Sequence, residues 1–124
     1  MKIINCTPHT VTILHYSCVQ YNPLRKSFDL VSEKSVLREF LPSGIVPRCL
    51  TKEKNEGLID GVPIMTLEFG SIDDLPPEEP NTRLIVSALV ANAGREQGRK
   101  DLLVPARMVR DVEGRIVGCL ALAI

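Results

Sequence analysis

The last 40 residues thread polar side chains, arginines foremost, through segments whose other residues belong in a core. From Ile85 the chain reads IVSALVANA, then Arg99-Lys100-Asp101-LLVP, then Val109-Arg110-Asp111, then Gly114 and Gly118-Cys119. Apolar stretches this short favour strands over long helices. Residues 84–90 (LIVSALV) read as a buried strand, and 91–100 as a short helix ending near Gly98. Residues 101–105 are strand-like. Residues 108–124 read as a closing hairpin whose turn is bracketed by Asp111 and Gly114. Gly118 inside the final strand marks a bulge or a close backbone approach.

The amino-terminal part is punctuated more heavily. Residues 2–6 and 11–14 read as short strands around Thr7-Pro8-His9-Thr10, where Pro8 restricts Thr7 and forces a turn or kink. Asn5, Thr7 and His9 suit local backbone hydrogen bonds there, a structural role favoured over a ligand role. FDLV and VLREFL lean towards strand. Residues 45–50 (IVPRCL) read as an edge strand, because Pro47 cannot donate to a ladder. Lys52 to Gly57 reads as a charged loop, Val62 to Phe69 as a strand, and residues 73–80 as a stiff, Pro-rich acidic connector. The sum is one domain over 1–124, of class α+β: a β-rich mixed or antiparallel sheet with one or two short helices.

Composition bounds the function. Lys plus Arg and Asp plus Glu both number 15, so the net charge is zero, and a polymeric nucleic-acid partner, which needs a basic surplus, is not expected. The charges are nevertheless segregated. Glu68 to Glu79 holds five acids and no base; Arg95 to Arg115 holds six bases against four acids. No apolar run approaches the roughly 18 residues of a membrane span, and the amino terminus lacks a signal-peptide pattern. Four cysteines without zinc spacing fit reduced thiols in a cytoplasm, and neither a metal nor another cofactor is expected.

No Walker loop, GxGxxG, HExxH or GxSxG motif is present, and both histidines fall within the first 15 residues, without an obvious orienting carboxylate. That leaves binding. Arg48, Arg99, Arg107 and Arg110 can each fork onto a phosphate. Asn92 offers a donor and an acceptor to a base edge or ribose hydroxyl, and Ser87 a hydroxyl within the apolar run. Asp101 and Asp111 are placed to hold Arg99 and Arg110, so ligand contact and structural ion pair stand level as readings of both arginines. Tyr16, Tyr21, Phe28, Phe40 and Phe69 are the only aromatics available for stacking, and core packing is the default for each phenylalanine.

Several of these residues together resemble a family. They are Asn5-x-Thr7-Pro8-His9-x-Val11, Pro42-Ser43-Gly44 with Arg48, and Ile85-Val86-Ser87-x-Leu89-Val90-Ala91. Arg99-x-Asp101 with Pro105 and Val109-Arg110-Asp111-x-x-Gly114 with Gly118-Cys119 complete the set. Over nearly its whole length the chain resembles the first family of Thoeris anti-defence proteins, small phage and prophage products. The resemblance implies a non-enzymatic sponge in the cytoplasm of an infected bacterium. Such a sponge sequesters the cyclic ADP-ribose isomer made by TIR-domain sensors, uncleaved, in pockets at a dimer interface. Dimers assembling into hexamers, and cyclic di- or trinucleotides as further ligands, are implied in the same way. Carried onto this chain, the pocket candidates are Asn92, Arg99, Asp101 and Arg110, with Ser87 and Arg48 behind them. A hydrolase of the same signal, and a structural or regulatory β-rich interaction module, are the competing readings.

Overall fold

A computed structural model of residues 1–124 has ten strands and one α-helix, so the α+β, strand-dominated class expected from the sequence holds. The strands are β1 (Lys2–Asn5), β2 (Val11–Leu14), β3 (Val19–Asn22), β4 (Ser27–Leu30), β5 (Val36–Phe40), β6 (Arg48–Ile59), β7 (Val62–Asp73), β8 (Thr82–Ile85), β9 (Leu102–Arg110) and β10 (Ile116–Ala123). The helix α1 spans Ala88–Glu96, and a single 3₁₀ turn covers Tyr16–Cys18.

The main sheet runs β1-β8-β9-β10-β2-β5, with β4 added beside β9 and β3 beside β4. Pairing is mixed: β1–β8, β8–β9, β10–β2 and β4–β9 are parallel, while β9–β10, β2–β5 and β3–β4 are antiparallel. The two ends of the path meet. Asn5 at the end of β1 bridges to Pro42 just beyond β5, and Ser43 N–H donates to the Asn5 carbonyl at 2.9 Å. Closing a sheet in this way removes unpaired edges.

Asn5 is the buried polar residue that holds this closure. Its Nδ2 donates to the carbonyls of His9 (2.7 Å) and Phe40 (2.8 Å), and its Oδ1 accepts from the Thr7 N–H (2.9 Å). The structural role expected for Asn5 and Thr7 is therefore present. The core forms where β8 and β9 meet α1, around Leu84, Val86, Val90 and Leu102, and continues across β2 and β10 through Ile13, Ile85 and Cys119.

Three expectations are corrected. LIVSALV is not one strand: β8 stops at Ile85, and Ser87 caps α1, its hydroxyl accepting from the Val90 N–H at 3.3 Å. An apolar run alone does not separate a buried strand from the first turn of a helix; the serine decides it. Gln97 and Gly98, the latter at φ 91°, end the helix close to where it was expected. Lys52 to Gly57 is not a loop either, but the middle of the 12-residue strand β6, paired with the equally long β7 as a separate two-stranded ribbon. Its turn is Asp60-Gly61, at φ 52° and 75°, the positive-φ pair that a tight hairpin requires. Residues 45–47 precede β6 rather than forming an edge strand.

The closing hairpin is as expected, although its first arm is the whole of β9. The Asp111 carbonyl accepts from the Gly114 N–H (3.0 Å), and the pairing shifts register between Ile116 and Gly118. A Cβ on Gly118 would lie 2.9 Å from both the Thr12 carbonyl and Leu14 Cδ1, so β2 and β10 approach closely only because no side chain intervenes. The acidic connector lies outside every helix and strand over residues 74–81.

Candidate functional site

The largest cavity is a cleft of about 550 Å³ between the β1–β2 loop, the start of α1 and strands β9 and β10. A small-molecule site commonly occupies about 300–1,000 Å³. Val86, Val104, Cys119 and Met108 give it apolar walls; Thr7, Thr10, Thr12, Ser87 and His9 supply hydroxyls and an imidazole. No Asp, Glu, Lys or Arg lines it. The start of α1 opens onto it at Ser87 and Ala88, where the first amide N–H groups of a helix have no intrahelical acceptor.

Two ionisable groups border the cleft, His9 and Cys119. Burial pushes the Cys119 thiol above its ordinary pKa, against weaker opposing hydrogen bonds from Ala106 and Ala121, and the Sγ–H lies 3.7 Å from the Thr12 carbonyl. A thiol held protonated is a poor nucleophile. His9 makes no side-chain hydrogen bond and has no carboxylate beside it in the cleft wall. No three His, Cys, Asp or Glu side chains gather closely enough to hold a metal ion, and all four cysteines are free.

The six residues singled out from the sequence do not converge on this cleft. Ser87 lines it, with its hydroxyl already engaged as the cap of α1. Arg99 and Asp101 form a bidentate pair, Nε to Oδ1 at 2.9 Å and Nη2 to Oδ2 at 2.8 Å, with Asp101 buried. Arg99 Nη2 also donates to the Pro76 carbonyl at 2.7 Å, and Glu78 lies 3.8 Å away. The hydrogen bond that its guanidinium donates to Asp101 raises the pKa of Arg99 further above its ordinary value. This pair locks the acidic connector onto the body, and between the two readings of Arg99 the ion pair is the one realised in this conformation.

Arg110 is exposed, donating through Nη1 to the Gly114 carbonyl at 2.8 Å. Asp111 does not hold it: that carboxylate takes the N–H groups of Glu113 and Arg115, both at 2.9 Å, and the Arg115 guanidinium at 3.2 Å. Arg110 is the last residue of β9 and Asp111 opens the turn that follows, where its carboxylate faces the amides of that turn. Arg48 lies exposed at the foot of the ribbon opposite Asp73, Asn92 is exposed on α1, and Arg107 is exposed at φ 54° within β9. Of the aromatics, Tyr21 packs on Phe28 with ring centroids 5.0 Å apart, and Phe40 carries Arg38 over its ring; neither borders the cleft.

Thr10, Thr12, His9 and Met108 were not singled out as ligand contacts. They come from segments up to about 100 positions apart and form no spaced motif; only Gly118, read as a close approach, pointed towards this region. No protein-family model, curated protein or solved structure matches the chain.

Proposed function

We propose that this protein is a non-enzymatic sponge that binds cyclic ADP-ribose isomers made by TIR-domain sensors and holds them uncleaved in the cytoplasm of an infected bacterium. The observation that carries the reading is the 550 Å³ cleft with apolar walls, a hydroxyl-rich rim and no charged residue in its lining. Such a lining suits a nucleobase and its ribose, which need contact area and a few polar partners. It offers no side-chain nucleophile hydrogen-bonded to a base, the pairing that covalent catalysis uses.

Two linked phosphates need more than hydroxyls. The start of α1 supplies amide N–H groups at the cleft, and anions bind such termini. Full neutralisation calls for guanidinium groups, and those of Arg48 and Arg110 are exposed, outside the cleft. In the proposed homo-oligomer a second copy brings such arginines to the cleft mouth, which reconciles the arginine-rich sequence with an uncharged cavity.

The test is thermal shift with purified protein and individual cyclic ADP-ribose isomers, followed by heat denaturation and mass spectrometry of the released ligand. At a hundredfold excess over Kd, binding adds about 2.7 kcal/mol of stability, or roughly 10 °C in Tm for a domain of this size. The ligand returns unchanged. Thr10→Trp, which fills the cleft mouth, abolishes the shift. Arg110→Ala weakens binding about 10- to 100-fold, the usual cost of a lost charge-assisted hydrogen bond. Recovery of a linear product would instead make the protein a hydrolase.

A further inference from the structure

A nucleobase offers a binding site two π-faces, and an aromatic side chain is the usual partner for at least one of them. No phenylalanine or tyrosine lines the cleft, and the chain has no tryptophan. A base bound there meets some other side chain with its face.

The register of the sheet puts Met108 in that position. Along β9-β10-β2, Met108 stands opposite Cys119, and Cys119 opposite Ile13. Residues opposite one another on adjacent strands share a face, so the three side chains form one row. Cys119 and Ile13 are 1% and 8% exposed, packed with Val11, Phe40 and Ile85. Met108 is 36% exposed and lines the cleft. It is the member of the row that the core leaves uncovered.

Its chemistry suits a ring. The thioether is unbranched and polarisable, and sulfur makes favourable contacts with aromatic rings about 5 Å away. Pairing with β10 fixes the backbone, so only the side-chain torsions adjust to a ligand. The two rivals in the lining are less suited. Ile116 is also exposed, but its branched Cβ is stiff and it carries no sulfur. His9 is the one ring, yet it sits on the β1–β2 loop, exposed and without a side-chain hydrogen bond to fix its plane. The hydroxyls lie across the cleft from Met108, because Thr10 and Thr12 belong to β2 and its approach, on the other side of β10.

We infer that Met108 is the stacking platform of the cleft: its thioether lies against the face of the ligand's nucleobase in place of an aromatic side chain, and the ribose turns towards Thr10 and Thr12. This placement rests on the nucleotide-binding function proposed above and assigns each part of the ligand to a wall. The test is nuclear magnetic resonance of the full chain carrying ¹³C at its methionine methyls, which gives three signals, from Met1, Met65 and Met108. Loss of one signal in Met108→Leu identifies the third. Adenosine and a cyclic ADP-ribose isomer are titrated separately. The ring current of a stacked purine moves the Met108 methyl upfield, while Met1 and Met65, outside the cleft, stay in place. Met108→Ala raises the Kd for the isomer about tenfold, and Met108→Leu, which keeps the bulk, about threefold. Binding of the isomer with the Met108 signal unmoved, as stacking on His9 would give, overturns the platform and leaves the proposed function standing. Binding of neither probe overturns both. Should Met108→Ala fail to fold, the methyl shift of the wild type decides.

Discussion

The sheet body and the ribbon are written in the same alternating strand code, yet they treat their apolar residues in opposite ways. In the body, Leu14, Ile85, Leu102 and Val109 are wholly enclosed, because β2, β8, β9 and β10 wrap onto one another and α1 covers what remains. In the ribbon, Leu58, Met65 and Leu67 follow the same alternation and lie open. Alternation therefore assigns a residue to a face without saying what covers that face. The arginines repeat the lesson. Arg99 is spent on holding the chain together, whereas Arg110, 11 positions later, donates to a turn carbonyl and remains exposed.

The sharpest way to break the comparison is to remove the clamp in the body. Arg99→Ala strands the buried Asp101 carboxylate and frees the connector at Pro76, so it should cost about 3–5 kcal/mol in urea unfolding. A loss under about 1 kcal/mol would place Arg99 with the exposed arginines, free to act elsewhere. Ser87→Ala should cost about 1 kcal/mol, the usual price of an N-cap, and should loosen the start of α1 beside the cleft. The smallest effect belongs to Asp111. The N–H of Arg115 first, then that of Glu113 and the Arg115 guanidinium, hold its carboxyl below its ordinary pKa, despite a smaller opposing desolvation. Its contribution is therefore complete above about pH 4 and is lost as pH falls through the lowered value. Asp111→Asn should remove that contribution, so its stability falls slightly below the wild type near neutrality. The two meet at acid pH, where the wild-type carboxyl is already protonated, which flattens that part of the acid unfolding curve.

Much of the body was legible in the sequence. Asp111 and Gly114 announced the last turn, Gly118 a bulge or close backbone approach without its partner, and the two-residue spacing of Arg99 and Asp101 their pairing. The ribbon was not, because Lys52, Glu53, Lys54 and Glu56 have the composition of a loop, and Asp60-Gly61 is a turn signal only once strands flank it. The LIVSALV run hides its boundary for a related reason: hydrophobicity gives no sign of where β8 ends, whereas Ser87 does. The cleft was the least legible part. Its walls are threonines and aliphatic residues from β2, β9, β10 and the start of α1, types that carry no chemical signature until the sheet brings them together. A charged residue carries its chemistry alone; a cavity exists only in the fold.

The most direct test is a calorimetric titration of the purified protein with a cyclic ADP-ribose isomer, with the ligand analysed afterwards. The account predicts saturable, tight binding of intact ligand by the wild type and its loss in Thr10→Trp. Absence of binding heat for every isomer, or unchanged binding by Thr10→Trp, would contradict it.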